Sequence, residues 1–525
     1  MIKKNSITHS SQQQPLRWAD IFAVGGSAAV FAAASLWTIT RSSVWFDEAF
    51  GAHMIRFGFW DIVRYTANDV HPPLYYWLLK LWSYAFGTSE LALRSMSTFF
   101  GVVMIVFAYL LLRRIVSRSA ATLGVVFVAL SPMIIRYSQE MRMYMLVTAI
   151  AVAATYVLVL ATQHNKKKYW AIYGVLLAAG MWTHYFAALV WCAHLLWHVW
   201  NVRQETKPTK ERFIWRVFTR EWRLAYGVAA AVFAAWMPAL VYQVIVVQAG
   251  GFWIPKVTVA TVPNFFTNML YYLDYDLVSP WLTLVFFGLC TLLVAWAARV
   301  YAGMDVTERR WYRLVACSAI VPVVVLFVVS MPPLRSAFIE RYLIPAAAFF
   351  ALFGGVVVAY SARFVRPLWT WLAVLVVIGV SGVGVYNVQT YGNYSKTARA
   401  SNNTREAIQA ISRVAKQGEP IIADSAWLFY EAAYYTTTDH PVYFIDAKME
   451  YKYGSMDMMK YNDEFKIKDL DSFMQAHPTV WYLGHNGDGD PLSPESNWKP
   501  GKHVVVNDSI SGKPAYKAIE YRLAD

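Results

Sequence analysis

Apolar residues run in long unbroken stretches over the first three-quarters of the chain. Many are long enough to cross a bilayer, which takes about 20 helical residues. They lie near 19–40, 94–112, 120–136, 142–162, 169–184, 186–201, 224–248, 280–301, 314–331, 342–361 and 368–386. Continuous rather than alternating runs exclude a membrane β-barrel. The pattern predicts a polytopic α-helical membrane protein of about eleven transmembrane helices. The segment 53–88 is apolar too, but His71-Pro72-Pro73 breaks it, and it reads as amphipathic helices lying on the membrane surface.

Past residue 390 the pattern changes. A helical periodicity over Thr404–Lys416 is followed by strand-like runs at Pro420–Ala423, Val442–Ile445, Val480–Leu483 and His503–Val506. Apolar periods switching between 3.6 and 2 predict a small α/β domain. The expected division is a transmembrane domain over 1–389, with a first outer loop at 41–93, and a separate C-terminal α/β domain over 390–525.

Charge orients these elements. The chain is 57% hydrophobic and 15% charged, where a soluble domain carries about 25% charge. Its net charge of +14 would suit nucleic acid if it were spread over a surface, but it is not. It gathers at Arg113/Arg114/Arg118, Lys166/Lys167/Lys168, between Arg203 and Arg223, at Arg309/Arg310/Arg313 and at Arg363/Arg366. These are alternate loops, as the positive-inside rule demands. The rule predicts a cytoplasmic N-terminus and an extracytoplasmic C-terminal domain, and leaves no nucleic-acid partner. The polar N-terminus is not followed by a small-residue cleavage site, so the first span reads as a retained anchor. Basic inner loops fit a bacterial inner membrane, and equally the endoplasmic reticulum.

With the inner loops accounted for, the charges on the predicted outer face stand apart. They are Asp47 and Glu48; Asp69 and His71; Arg136, Glu140 and Arg142; Lys256; Asp274 and Asp276; and Arg335, Glu340 and Arg341. Ionisable groups at such depth are costly to hold and commonly functional. Basic residues on this side run against the topological bias, and an anionic ligand would explain them. Asp47 and Glu48 are neighbours on a helix-like stretch, so only one can face a given pocket. One could serve as general base, or both could simply complement a helix dipole. His71 is held extended by the prolines after it and could line a pocket with Asp69. If 136–144 is one helix, Arg136, Glu140 and Tyr144 share a face. Arg341, beside Tyr342 at a helix N-terminus, suits a phosphate. His184, in an interfacial aromatic turn, carries little weight. Asp47, Glu48, Asp69, His71 and Glu140 are candidate ligands for a divalent cation, although their spacing has no metal signature.

Taken together these residues resemble the GT-C superfamily of membrane glycosyltransferases, and more closely the branch of dolichyl-phosphate-mannose protein mannosyltransferases and lipid A aminoarabinose transferases. Phe46-Asp47-Glu48 is similar to that branch's acidic motif in the first outer loop. Asp69-Val70-His71-Pro72-Pro73-Leu74 is similar to the motif ending that loop, and Arg341-Tyr342-Leu343-Ile344-Pro345 to an Arg-Tyr-x-x-Pro stretch. The resemblance covers about 1–390 and implies an inverting transfer of a sugar from a polyprenyl-phosphate donor to an extracytoplasmic acceptor. It implies Asp47 as catalytic base. Glu48 and Glu140 would orient the acceptor, Arg341, Arg136, Arg142 and His71 would hold the donor phosphate, and Asp69, Tyr144 and Tyr342 would line the pocket. The chain departs from the aminoarabinose transferases at His71, where they carry Lys, and at Tyr144, where they carry Asp. The rival readings are a flippase for a lipid-linked saccharide, which would need charged groups near mid-span, and a non-catalytic scaffold.

Overall fold

The structure, a computed structural model, describes residues 17–204, 213–250, 254–272, 280–391, 403–436, 439–446, 458, 463–485, 498–507 and 512–523. Asp274 and Asp276 lie outside the described residues.

The helices run α1 (Trp18–Trp37), α2 (Phe46–Met54), α3 (Phe59–Ala67), α4 (Leu74–Phe86), α5 (Glu90–Ile115), α6 (Arg118–Ala129), α7 (Pro132–Ser138), α8 (Tyr144–His164), α9 (Lys167–Thr183) and α10 (Ala188–Gln204). They continue with α11 (Phe213–Val217), α12 (Arg220–Phe233), α13 (Met237–Gly250), α14 (Thr261–Tyr271), α15 (Pro280–Ala302), α16 (Val306–Val329), α17 (Ile344–Ser361) and α18 (Pro367–Tyr391). Among the described residues seven helices are long and apolar enough to cross a membrane, and eight if the bent pair α6–α7 is one span. The remaining predicted spans fall on α9, α10 and α15. This is a polytopic helical membrane protein, with α2, α3 and α4 forming the broken segment between the first two spans.

Two departures from the sequence reading matter for the site. The predicted span 120–136 bends by 57° between α6 and α7, where Pro132 at the start of α7 removes a backbone donor. Arg136, Glu140 and Tyr144 therefore do not share one helix. α7 stops at Ser138, a turn follows, and Tyr144 opens α8. A second close fit sets the site's spacing: a Cβ on Gly355 of α17 would lie 2.4 Å from the backbone N of Gly124 in α6. Only glycine allows two helices so close, the small-residue packing usual in bilayers. It brings the start of α17, with Arg341 just before it, to the turn that follows α7.

The C-terminal part holds α19 (Thr404–Val414), α20 (Ala426–Tyr435), α21 (Leu470–Ala476) and a six-stranded sheet. Its strands are β1 (Ile421–Ala423), β2 (Val442–Ile445), β3 (Lys466–Ile467), β4 (Thr479–His485), β5 (Trp498–Asn507) and β6 (Pro514–Leu523), in the order β3-β2-β1-β4-β6-β5. The first four pair in parallel, and β6 and β5 add antiparallel. Sequence pattern does not mark β3, which has two residues, or β6, where Lys517, Glu520 and Arg522 interrupt the apolar run. Nor does it mark α20, whose apolar residues go all round. Because strand side chains alternate, Ile422, Val480 and Tyr482 form a small core with Met474 of α21. Ile421, Ala423 and Leu483 face the other way. With Leu428 and Phe429 of α20 they join a core continuous with that of the transmembrane bundle.

Candidate active site

The site is built where α2, α4, the turn after α7 and the start of α17 meet at the end of the bundle under the sheet. Its framework is Arg94 in α5, fully buried. Its guanidinium makes two hydrogen bonds to Glu48, Nε to Oε1 at 2.8 Å and Nη2 to Oε2 at 2.6 Å. It also donates to the carbonyls of Ile39, Ser42 and Ser43 at 2.7, 2.9 and 3.1 Å. One side chain thus ties down the stretch between α1 and α2, using the fork geometry that lets arginine serve several acceptors. Glu48 also accepts the N–H of Met141 at 2.8 Å, so α2 and the turn after α7 are fixed to one carboxylate. Sequence reasoning expected Glu48 to orient an acceptor. Its carboxylate is buried and already engaged by Arg94 and the Met141 N–H.

Asp47, the adjacent residue, points elsewhere. Its side chain is 21% exposed and lies between two guanidiniums, 3.2 Å from Arg341 Nη1 and 3.6 Å from Arg142 Nη2. Arg142 is anchored by donating to the Asp47 carbonyl at 3.1 Å and to the Tyr76 hydroxyl at 3.5 Å. Its Nε, buried, has no hydrogen-bond partner among the described residues. Arg341 lies over the Trp45 ring, 5.6 Å from its centroid. A buried cation, Arg142, and a partly buried one, Arg341, thus flank one partly exposed carboxylate, an arrangement that could hold an anion beside a proton acceptor.

The surrounding wall is aromatic. His71 Nδ1 is 3.4 Å from Asp69 Oδ2. Its ring is 5.5 Å from that of His184, which packs against Tyr144 at 5.9 Å and Tyr342 at 5.0 Å. Burial first, then the nearby Arg142 guanidinium, hold the His71 imidazole well below its ordinary pKa. It is therefore neutral near pH 7, with its proton on Nδ1 toward the Asp69 carboxylate. His184, given little weight from sequence, belongs to the same wall. Its Nδ1 accepts the Phe186 N–H at 3.3 Å, which puts the proton on Nε2, a buried donor without a partner among the described residues.

Arg136 and Glu140 form a buried pair of their own, 3.4 Å apart, and burial raises the Glu140 carboxyl above its usual range. They border the centre; neither contacts Asp47 within hydrogen-bond distance. Of the carboxylates expected to share a cation, Asp47, Glu48 and Glu140 face guanidiniums and Asp69 faces His71. Among the described residues no three His, Cys, Asp or Glu side chains cluster in a way that could hold a metal ion, so the residues present do not fit that site. Arg94 was missed from sequence, although the reasoning that singled out Arg341 applies to it as well. It is a basic residue at the end of a span predicted to lie on the outer side.

Comparison with known proteins bears on the fold. A family model described as dolichyl-phosphate-mannose-protein mannosyltransferase matches residues 70–242, less than half of the chain. A search of curated proteins by sequence finds none that matches. Among solved structures, ArnT from Cupriavidus metallidurans in the apo state is similar with a TM-score of 0.62 at 12% identity, covering 95% of this chain and 97% of that one. The same protein bound to undecaprenyl phosphate gives 0.56 at 12% identity over the same shares. The Archaeoglobus fulgidus oligosaccharyltransferase gives 0.50 at 12% identity, covering 88% of this chain and 68% of that one. On this evidence the chain has the fold of the GT-C superfamily of membrane glycosyltransferases.

Proposed function

We propose that the protein is an inverting glycosyltransferase that takes a sugar from a polyprenyl-phosphate donor and passes it to an acceptor on the extracytoplasmic side. The observation that carries this is Asp47, partly exposed and set between Arg341 and Arg142. A similar structure, ArnT, has been seen with undecaprenyl phosphate bound, and a lipid monophosphate suits two guanidiniums. Attack at the anomeric carbon expels that phosphate, so negative charge grows on its oxygens as the bond breaks. Arg341 and Arg142, already fixed, would stabilise it without reorganising, and the neutral His71 would line the pocket beside them. Asp47 would accept the proton of the acceptor hydroxyl or amine. A single base with no covalent intermediate inverts the anomeric centre. Lining by Tyr144, Tyr342 and Asp69 would shape the sugar pocket. The membrane is assigned as a bacterial inner membrane, with the N-terminus cytoplasmic and the C-terminal domain outside.

The test is donor consumption. Membranes carrying the wild type or Asp47→Asn receive a panel of labelled polyprenyl-phosphate sugars with a crude envelope extract. Transfer by the wild type alone, with both proteins folded, supports the reading and names the sugar. Equal transfer by both removes Asp47 as base.

A further inference from the structure

The first loop is held from two sides, and the second side is the C-terminal domain. Glu431 of α20 is buried, and its carboxyl is held within the C-terminal part itself. The Thr404 hydroxyl at 2.7 Å and the Tyr516 hydroxyl at 3.5 Å donate to the same carboxyl and fix its position. Four residues along, the Tyr435 hydroxyl accepts the Val44 N–H at 2.6 Å and donates to Glu90. Glu90 is also paired with Arg405 at 3.2 Å. From α19, the Arg405 N–H reaches the Ser43 hydroxyl, which donates to Glu406 at 3.1 Å. The Arg405 side chain donates to the Thr40 carbonyl at 3.0 Å. Rings close the contact: Phe46 lies 4.2 Å from Trp427 and 5.8 Å from Tyr430, and His53 lies 5.2 Å from Tyr430.

These contacts fall on residues 40–53 and on Glu90 beside them, the stretch that Arg94 grips from the bundle. The chain just before α2 is thus held by Tyr435, a residue almost four hundred positions away. We propose that the C-terminal domain is a positioning element for Asp47, with Tyr435 as its positioning residue. The bundle supplies the phosphate-facing guanidiniums, and the C-terminal domain fixes the register of the first turn of α2 against them. This rests on the reading of Asp47 as base and adds to it a role for the domain.

Two variants test it in the full-length protein. Tyr435→Phe keeps the ring and removes only the hydroxyl that takes the Val44 N–H. Arg405→Ala removes the donor to the Thr40 carbonyl and the partner of Glu90. The first measurement, amide hydrogen exchange, needs no substrate. Loss of one hydrogen bond speeds exchange roughly twofold to tenfold, so residues 43–50 should exchange faster by that factor in both variants, with the sheet unchanged.

The second measurement is turnover. A displaced base costs up to about a hundredfold, so kcat should fall tenfold to a hundredfold in Tyr435→Phe while KM for the polyprenyl-phosphate donor stays within about twofold. Unchanged exchange at 43–50 in both variants overturns the proposal, as does a rise in KM with kcat preserved. If Arg405→Ala loses protection across the sheet, Tyr435→Phe decides. A wild type inert towards every donor would count against the transferase reading, while the exchange pattern would still decide whether the domain holds α2.

Discussion

Replacing Arg94 by Met keeps the length of the side chain and removes its charge and all five donors. The partners left behind set the size of the effect. Glu48 would remain buried with its carboxylate facing no cation, and breaking a buried pair in this way costs about 3–5 kcal/mol. The carbonyls of Ile39, Ser42 and Ser43 would lose their donor, at about 1 kcal/mol each where water cannot replace it. Water reaches this stretch in part, so the two contributions do not simply add, and a total near 5 kcal/mol is expected. Through the factor of ten per 1.4 kcal/mol that is roughly a thousandfold rise in the population with the loop detached. Amide exchange over 39–48 and at Met141 reads it directly in detergent. The double variant Glu48→Gln/Arg94→Met leaves no buried charge and should recover at least about 2 kcal/mol of the loss. Exchange in Arg94→Met within threefold of the wild type would refute the account, as would a double variant whose loss equals the sum of the two single ones.

Asp47→Asn should fold as the wild type and lose roughly a hundredfold to ten-thousandfold in transfer rate, the usual worth of a general base, as measured by donor consumption at saturating donor. Arg341→Ala should weaken binding of a polyprenyl monophosphate by about tenfold to a hundredfold, since a hydrogen bond to a charged group is worth about 1.5–3 kcal/mol; a direct binding assay with the lipid phosphate checks it. The C-terminal domain should also become less stable as pH rises. Burial pushes the Glu431 carboxyl up to about 8 from an ordinary 4.5, so between those values the folded protein keeps a proton that the unfolded chain has lost. Stability from this group is complete below 4.5, falls by at most about 1.4 kcal/mol per pH unit between the two values and levels off above 8. Glu431→Gln should flatten that slope in thermal melts, and an unchanged slope would mean another group sets it.

Much of the architecture could be read in the sequence because a bilayer imposes a coarse rule. Uninterrupted apolar runs must become helices, and each of the predicted spans is helical, two of them, 120–136 and 224–248, as a pair of helices. The bend between α6 and α7 follows from Pro132, but its consequence, that Arg136 and Tyr144 part company, depends on where the chain resumes its helix. Asp47, Arg142 and Arg341 could be picked out as charges on the wrong side, and the fold brings them together. The fates of Asp47 and Glu48 could not be separated, because adjacent residues differ only in the face they present and that face is chosen by Arg94. The role of α20 was out of reach for another reason. A short helix that is apolar all round gives no period, and its partner is distant in the chain.

The hold of Tyr435 on Val44 bears on how the protein is made. Ribosomes add about 5–20 residues per second, so α2 waits some 20 to 80 seconds in the membrane before the segment that holds its approach is synthesised. Until then its first turn is held by the bundle alone. On the reading proposed above, the nascent protein can shelter a lipid phosphate before it can use one, and catalytic competence arrives with the last strands of the sheet. Truncation anywhere in the final hundred residues would then leave a membrane-inserted but idle transferase.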